Sequence, residues 1–196
     1  MRSFPIRADA IAHLSKVDYK LGAFIKKRGR VMRSVFCSPF ECLVSCVVAQ
    51  QITSRTAENI FARIKTVVGV IDAERISSLG ESKLCACGIS LKKSKTILAL
   101  AQAFSCGELP ESAFAKMSDS EIEKVLTSFS GIGAWTVEMF LIFALMRSDV
   151  FSIKDFGIRK GFSLLHSKGD IHKYKRLYSP YGTTASIYLW EIACSG

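Results

Sequence analysis

Apolar residues recur along this chain at helical spacing. Ala57, Ile60, Phe61, Ile64, Val67 and Val68 follow the i, i+3, i+4, i+7 rule of a helix with one buried face. Ile97, Leu100, Ala101 and Phe104 repeat it, and so do Ile122, Val125, Leu126 and Phe129. The runs at residues 42–49 and 139–146 are apolar on every side and predict buried helices. Both fall far short of the roughly 20 residues that span a bilayer. Alternation of period two is not sustained anywhere, and residues 31–36 are the one stretch that predicts a short strand.

Brief polar or glycine breaks separate these segments. Gly69, Gly80, Gly88, Gly107 with Pro110, the turn Ser130-Gly131-Ile132-Gly133, and Gly169 punctuate the chain. Ser118-Asp-Ser-Glu121 has capping-box spacing, so a helix starts just before Ile122. No repeat, low-complexity tract or long linker interrupts the pattern. The prediction is an all-α fold of about ten short helices, without a domain boundary visible in the sequence.

Composition narrows the class. A chain of 196 residues that is 49% hydrophobic and 22% charged is neither disordered nor collagen-like. Its seven cysteines are odd in number and contain no CxxC pair, and the three histidines are scattered. That is a poor zinc or iron–sulfur pattern, so reduced and mostly buried thiols of an intracellular protein are expected. The N-terminal residues lack an uninterrupted apolar core, which argues against a signal peptide. The net charge is +10, and residues 1–35 hold nine of the 27 Lys and Arg against two of the 17 acidic residues. A polyanionic partner fits this charge, but so does a solvated basic surface.

Three segments carry candidate chemistry. In Leu126-Thr-Ser-Phe-Ser-Gly-Ile-Gly-Ala-Trp-Thr-Val-Glu-Met139, an amphipathic helix ends near Phe129 and an apolar helix begins near Ala134. Gly131 and Gly133 permit positive φ, and the turn exposes successive amides suited to an anion such as a nucleic-acid phosphate. An ordinary helix–helix corner has the same glycines. In Asp149-Val-Phe-Ser-Ile-Lys-Asp155-Phe-Gly-Ile-Arg-Lys160, Ser152 and Asp155 are spaced as N-cap and third helical residue. Asp155 then sits at the positive end of a helix, either as a chemically useful carboxylate or as part of a plain capping box. In Ala49-Gln50-Gln51-Ile52-Thr53, adjacent amides offer donors and acceptors suited to base edges, or form a polar loop before an N-cap at Thr53.

Taken together, these segments resemble the helix-hairpin-helix (HhH-GPD) DNA glycosylase superfamily, and within it the DNA-3-methyladenine glycosylase II branch. Pro39-Phe40-Glu41-x-Leu43 leading to Gln50-Gln51-Ile52-Thr53 looks like the family's early helix and wedge loop. Gly88-Ile-Ser-Leu-Lys-Lys-Ser-Lys95 resembles its glycine-led segment, and Tyr178-Ser-Pro-Tyr181 through Trp190 its closing helix. The resemblance covers most of the chain. It implies one glycosylase domain over residues 1–196, all-helical and two-lobed, with the DNA cleft between lobes and the hairpin at about 121–146.

The same resemblance implies the chemistry: a damaged base is flipped from double-stranded DNA and its N-glycosidic bond is hydrolysed. Asp155 matches the catalytic aspartate. Gly131, Gly133 and Ala134 match the phosphate-binding turn, and Gln51, with Ile52 behind it, matches the wedge. Trp135 and Tyr181 match aromatic residues near the base pocket. Bifunctional relatives carry a Schiff-base lysine where this chain has Trp135, so a monofunctional enzyme is implied, although Lys154 beside Asp155 departs from the common pattern. Gly182 replaces an arginine often found in the family. The four-cysteine cluster of the endonuclease III branch is absent. No cofactor or metal is implied beyond a monovalent cation that carbonyls of Thr127, Phe129 and Ile132 can hold in the family. The expectation is an intracellular monomer, without a membrane role, excising alkylated purines such as 3-methyladenine and 7-methylguanine. The alternatives are a non-catalytic DNA-binding module and a glycosylase for another lesion class, such as oxidised purines.

Overall fold

A computed structural model of the protein describes residues 2–195, which fold almost entirely as α-helix. Eleven helices follow in order: α1 (Ala8–Val17), α2 (Tyr19–Arg28), α3 (Pro39–Ala49), α4 (Ser54–Val68), α5 (Ala73–Ala86), α6 (Leu91–Ser105), α7 (Asp119–Thr127), α8 (Ala134–Phe143), α9 (Phe156–Leu165), α10 (Ile171–Tyr178) and α11 (Gly182–Ser195). A short 3-10 turn occupies Glu111–Ala115. The described residues form two compact units, one of residues 2–35 and 141–195 and the other of residues 36–140.

The unit of residues 36–140 is built on α3, whose all-round apolar sequence buries Phe40, Cys42, Leu43, Val44, Cys46, Val47 and Val48. α4 and α6 pack against it, and α5 packs on α6. α4 buries Ala57, Ile60 and Ile64 and leaves Val67, in its last turn, exposed. Phe40, Phe104, Phe114 and Phe140 form a chain of rings with centroids 5.2, 6.1 and 4.9 Å apart. Each fully buried ring contributes roughly 1.5–3 kcal/mol. Local chemistry sets the helix starts: Ser38, Thr53, Asp72, Ser90 and Ser118 each accept a backbone N–H of the first turn. At Ser118 the box is reciprocal, with Glu121 accepting from the Ser118 N–H.

In the other unit α9 packs on α11, and α1 packs on α2, α10 and α11. α11 is buried continuously from Gly182 to Trp190. A polar knot ties the ends of this unit together. Asp18, 4% exposed, caps α2 through Lys20 and Leu21, accepts from Tyr178 Oη at 2.6 Å and lies 2.7 Å from His166 Nε2. Burial, and then the bond to Asp18, push the Tyr178 phenol far above its ordinary range, so it stays a donor.

Two expectations fail here. Residues 31–36 are not a strand: Ser34 makes an isolated antiparallel bridge with Ser3, with bonds from Phe4 N to Arg33 O and from Val35 N to Arg2 O. Val31 and Val35 are buried without a ladder, as is Phe4 of the facing segment. The thiols are free, but only Cys42, Cys46 and Cys87 are buried, while Cys37, Cys106 and Cys194 are exposed. No helix among the described residues is long and apolar enough to cross a membrane.

Candidate active site

Asp155 lies in the unit of residues 2–35 and 141–195, and its placement corrects the expected capping pattern. Ser152 does not start the helix. Asp155 is itself the N-cap of α9, and its Oδ1 accepts from the Ile158 N–H at 2.8 Å. Aspartate caps as well as serine does, and a second bond decides between them. Trp190 Nε1 of α11 donates to the same Oδ1 at 2.8 Å. Asp155 is 9% exposed, and both of these donors hold its carboxylate at the positive end of a helix.

Trp190 is committed to this task on several sides. Phe143 stacks on it at 5.7 Å, and the Arg33 guanidinium lies 5.1 Å from its ring centroid. A Cβ on Gly157 would meet Trp190 Cδ1 at 2.7 Å and Asp155 Oδ1 at 3.3 Å, so this pair can close only over a glycine. Trp190, Arg33 and Gly157 were not singled out as site residues from sequence. They lie up to 157 positions apart: the packing of α9 on α11 brings Gly157 to Trp190, and the segment after α2 brings Arg33 over its ring. Phe156, next to Asp155, was also missed. It is 81% exposed, an unusual state for a phenylalanine and the one signal that marks it. Lys154 is exposed as well.

Tyr181 belongs to a different set of contacts. Its hydroxyl donates to Asp9 at 3.2 Å and its ring packs edge-on against His13 at 5.3 Å. Gly182 is buried, with its N–H donating to Asp149 Oδ1 at 3.0 Å. A Cβ there would lie 2.9 Å from that oxygen.

The expected hairpin is formed by α7, a turn and α8, and its turn lies within residues 36–140. α7 ends at Thr127, two residues before Phe129, and α8 begins at Ala134 as expected. The two glycines differ. Gly131 has φ +91° and packs so tightly on Thr96 Oγ1 that a Cβ would collide with it. Gly133 does not use the positive φ open to it, and beyond its chain neighbours no protein atom lies within 4 Å of a Cβ position. Its surroundings therefore leave room for a ligand to approach the backbone. Ala134 is exposed and Trp135 half-buried in the first turn of α8. Phe129 O accepts from Ile132 N at 3.1 Å.

The two glutamines also separate. Gln50 is turned inward, with Nε2 donating to Gly131 O at 3.0 Å and Thr136 Oγ1 at 2.8 Å. Gln51 is exposed and has φ +57°, a left-handed conformation that costs a residue with a Cβ about 1 kcal/mol. Ile52 is 37% exposed beside it. No group of three metal-ligating side chains occurs among the described residues.

The chain as a whole is similar to known proteins. The family model of the HhH-GPD superfamily base excision DNA repair proteins matches residues 44–179. DNA-3-methyladenine glycosylase 1 of Schizosaccharomyces pombe is 34% identical over 192 residues, covering 91% of this chain and 84% of the relative. The DNA-3-methyladenine glycosylase of Saccharomyces cerevisiae is 32% identical over 142 residues, with 67% of this chain and 48% of the relative covered. Among solved structures, the S. pombe 3-methyladenine DNA glycosylase in complex with abasic DNA superposes with a TM-score of 0.87, covering 94% of this chain and 96% of the other. A Bacillus halodurans DNA-3-methyladenine glycosidase superposes at 0.81 with 30% identity, covering 98% and 93%. The chain belongs to the HhH-GPD superfamily of base excision DNA repair proteins.

Proposed function

We propose that this protein is a monofunctional DNA glycosylase of base excision repair that removes alkylated purines, 3-methyladenine and 7-methylguanine first among them, from double-stranded DNA. The observation that carries this reading is Asp155, a buried carboxylate fixed by Ile158 N and Trp190 Nε1, in a chain whose similar proteins are named 3-methyladenine glycosylases. As the N-glycosidic bond breaks, its electron pair leaves with the base and C1′ acquires oxocarbenium character. A carboxylate held in place beforehand stabilises that charge without reorganising. A base methylated at N3 or N7 is already cationic, so the departing pair neutralises it and no general acid is needed. Water then bonds to C1′, and the proton it loses passes to Asp155 or to solvent.

Other residues have supporting roles in this reading. The amides of Gly131, Gly133 and Ala134 hold a DNA phosphate, and the open space at Gly133 lets it approach. Gln51, backed by Ile52, enters the gap left by the flipped nucleotide and faces the widowed base. Trp135 and Tyr181 contribute to the base pocket, and the exposed Phe156 ring is placed to meet a base beside Asp155. The carbonyls of Thr127, Phe129 and Ile132 fit a monovalent cation chemically, since a carbonyl already bonded, as Phe129 O is, keeps a second lone pair. Such an ion would add positive charge beside the phosphate. The protein acts as a monomer with DNA inside the cell.

Trp135 stands where a bifunctional enzyme carries its lysine, so the product is an abasic site with the strand intact. Incubation with lesion DNA and borohydride tests this. The expected outcome is base release with no trapped protein–DNA adduct; an adduct lost in Lys154→Ala would make the enzyme a lyase.

A further inference from the structure

One face of α6 holds two loops at once. Lys93 and Thr96 are three residues apart and so project to the same side. The Lys93 ammonium donates to Val48 O at 2.8 Å and Gln50 O at 2.6 Å, the last carbonyls of α3 and its cap. Thr96 Oγ1 donates to Ser130 O at 2.7 Å, in the hairpin turn. Gln50 closes the triangle by donating to Gly131 O and to Thr136 Oγ1 of α8. The Gln50 carbonyl belongs to the peptide plane that precedes Gln51, so fixing that plane restricts the φ of Gln51. Gln51 is held at +57°, where a residue with a Cβ stays only if its surroundings enforce it. Burial lowers the affinity of Lys93 for its proton, and the two carbonyls supply the partners its charge needs.

We infer that Gln50 and Lys93 are positioning residues that aim the Gln51 side chain and tie it to the phosphate-binding turn. Gripping a phosphate at Gly131–Gly133 and presenting the wedge are then one mechanical event, because the same amide of Gln50 joins both loops. This inference rests on the proposed wedge role of Gln51.

The test is a double-mutant cycle on the full chain, read as single-turnover base release from a duplex carrying 7-methylguanine. Gln51→Ala is expected to slow release about tenfold, because the gap left by the flipped nucleotide is then unfilled. Gln50→Leu and Lys93→Met are expected to slow it similarly, but to add less than about twofold once Gln51 is already alanine. Lys93→Arg, which keeps a cation facing the two carbonyls, should recover most of the loss. Should Gln50→Leu fail to fold, as judged by thermal unfolding, Gln50→Glu and Lys93→Met complete the same cycle. Losses that multiply in the Gln51→Ala background would overturn the inference and leave the wedge reading intact. A silent Gln51→Ala would overturn both.

Discussion

The catalytic role proposed for Asp155 rests on how one of its carboxylate oxygens is held. Oδ1 of Asp155 accepts from a backbone amide and from Trp190 Nε1, and both bonds are 2.8 Å. Hydrogen bonds to charged groups contribute about 1.5–3 kcal/mol each, so loss of one should be visible in the rate. Trp190→Phe keeps the ring against Phe143 and removes only the donor. It is expected to slow base release about tenfold while affinity for abasic DNA stays within about twofold. An unchanged single-turnover rate would show that Trp190 does not position the carboxylate. The sequence marked Asp155 but gave it the wrong place in its helix, because Ser152 and Asp155 are equally good caps and nothing local chooses between them. The choice is made by Trp190, 35 residues away, through the packing of α9 on α11.

At the element scale, helix starts were legible because capping is local: Thr53 and Ser118 cap the helices their spacing predicted. The capping box also sets a pH dependence. Bonds from the Ser118 hydroxyl and then the Ser118 N–H hold the Glu121 carboxyl below its ordinary 4.5. A depressed folded value means that the stabilisation is present above 4.5 and is lost as pH falls through the folded value. Glu121→Gln should therefore lower the melting temperature near neutral pH, by an amount that shrinks in melts run below 4.5. A pH-independent difference would contradict this.

The hairpin glycines permit a sharper comparison. Sequence treated them alike, but their neighbours do not. Gly131→Ala meets Thr96 in a left-handed conformation and should cost about 1–3 kcal/mol of stability. Gly133→Ala meets no protein atom and should fold normally while binding abasic DNA about tenfold more weakly. Normal DNA binding by Gly133→Ala, measured by fluorescence anisotropy, would remove the phosphate from that position.

At the scale of the whole molecule, the charge of +10 favoured a polyanion only weakly, and the fold gives part of the basic N-terminal stretch other work. Arg28 pairs with Glu191 at 2.9 Å and Arg33 lies over Trp190, while Lys26, Lys27 and Arg30 remain exposed. The all-helical fold was legible because period 3.6 dominates the chain and the caps punctuate it. The family was legible because five ordinary motifs occur in the right order. Neither source revealed Gly157, Arg33 or the inward turn of Gln50, since each acquires its role from residues distant in sequence.

Release of free base from methylated duplex DNA decides whether Asp155 carries the hydrolysis of an alkylated purine's glycosidic bond. The wild-type protein should liberate 3-methyladenine and 7-methylguanine. Asp155→Asn, which keeps an acceptor oxygen for Ile158 N and Trp190 Nε1, should bind abasic DNA but release base at least about 100-fold more slowly. Equal release by both proteins would remove Asp155 from the reaction, and none by the wild type would show that the protein is not an alkylpurine glycosylase.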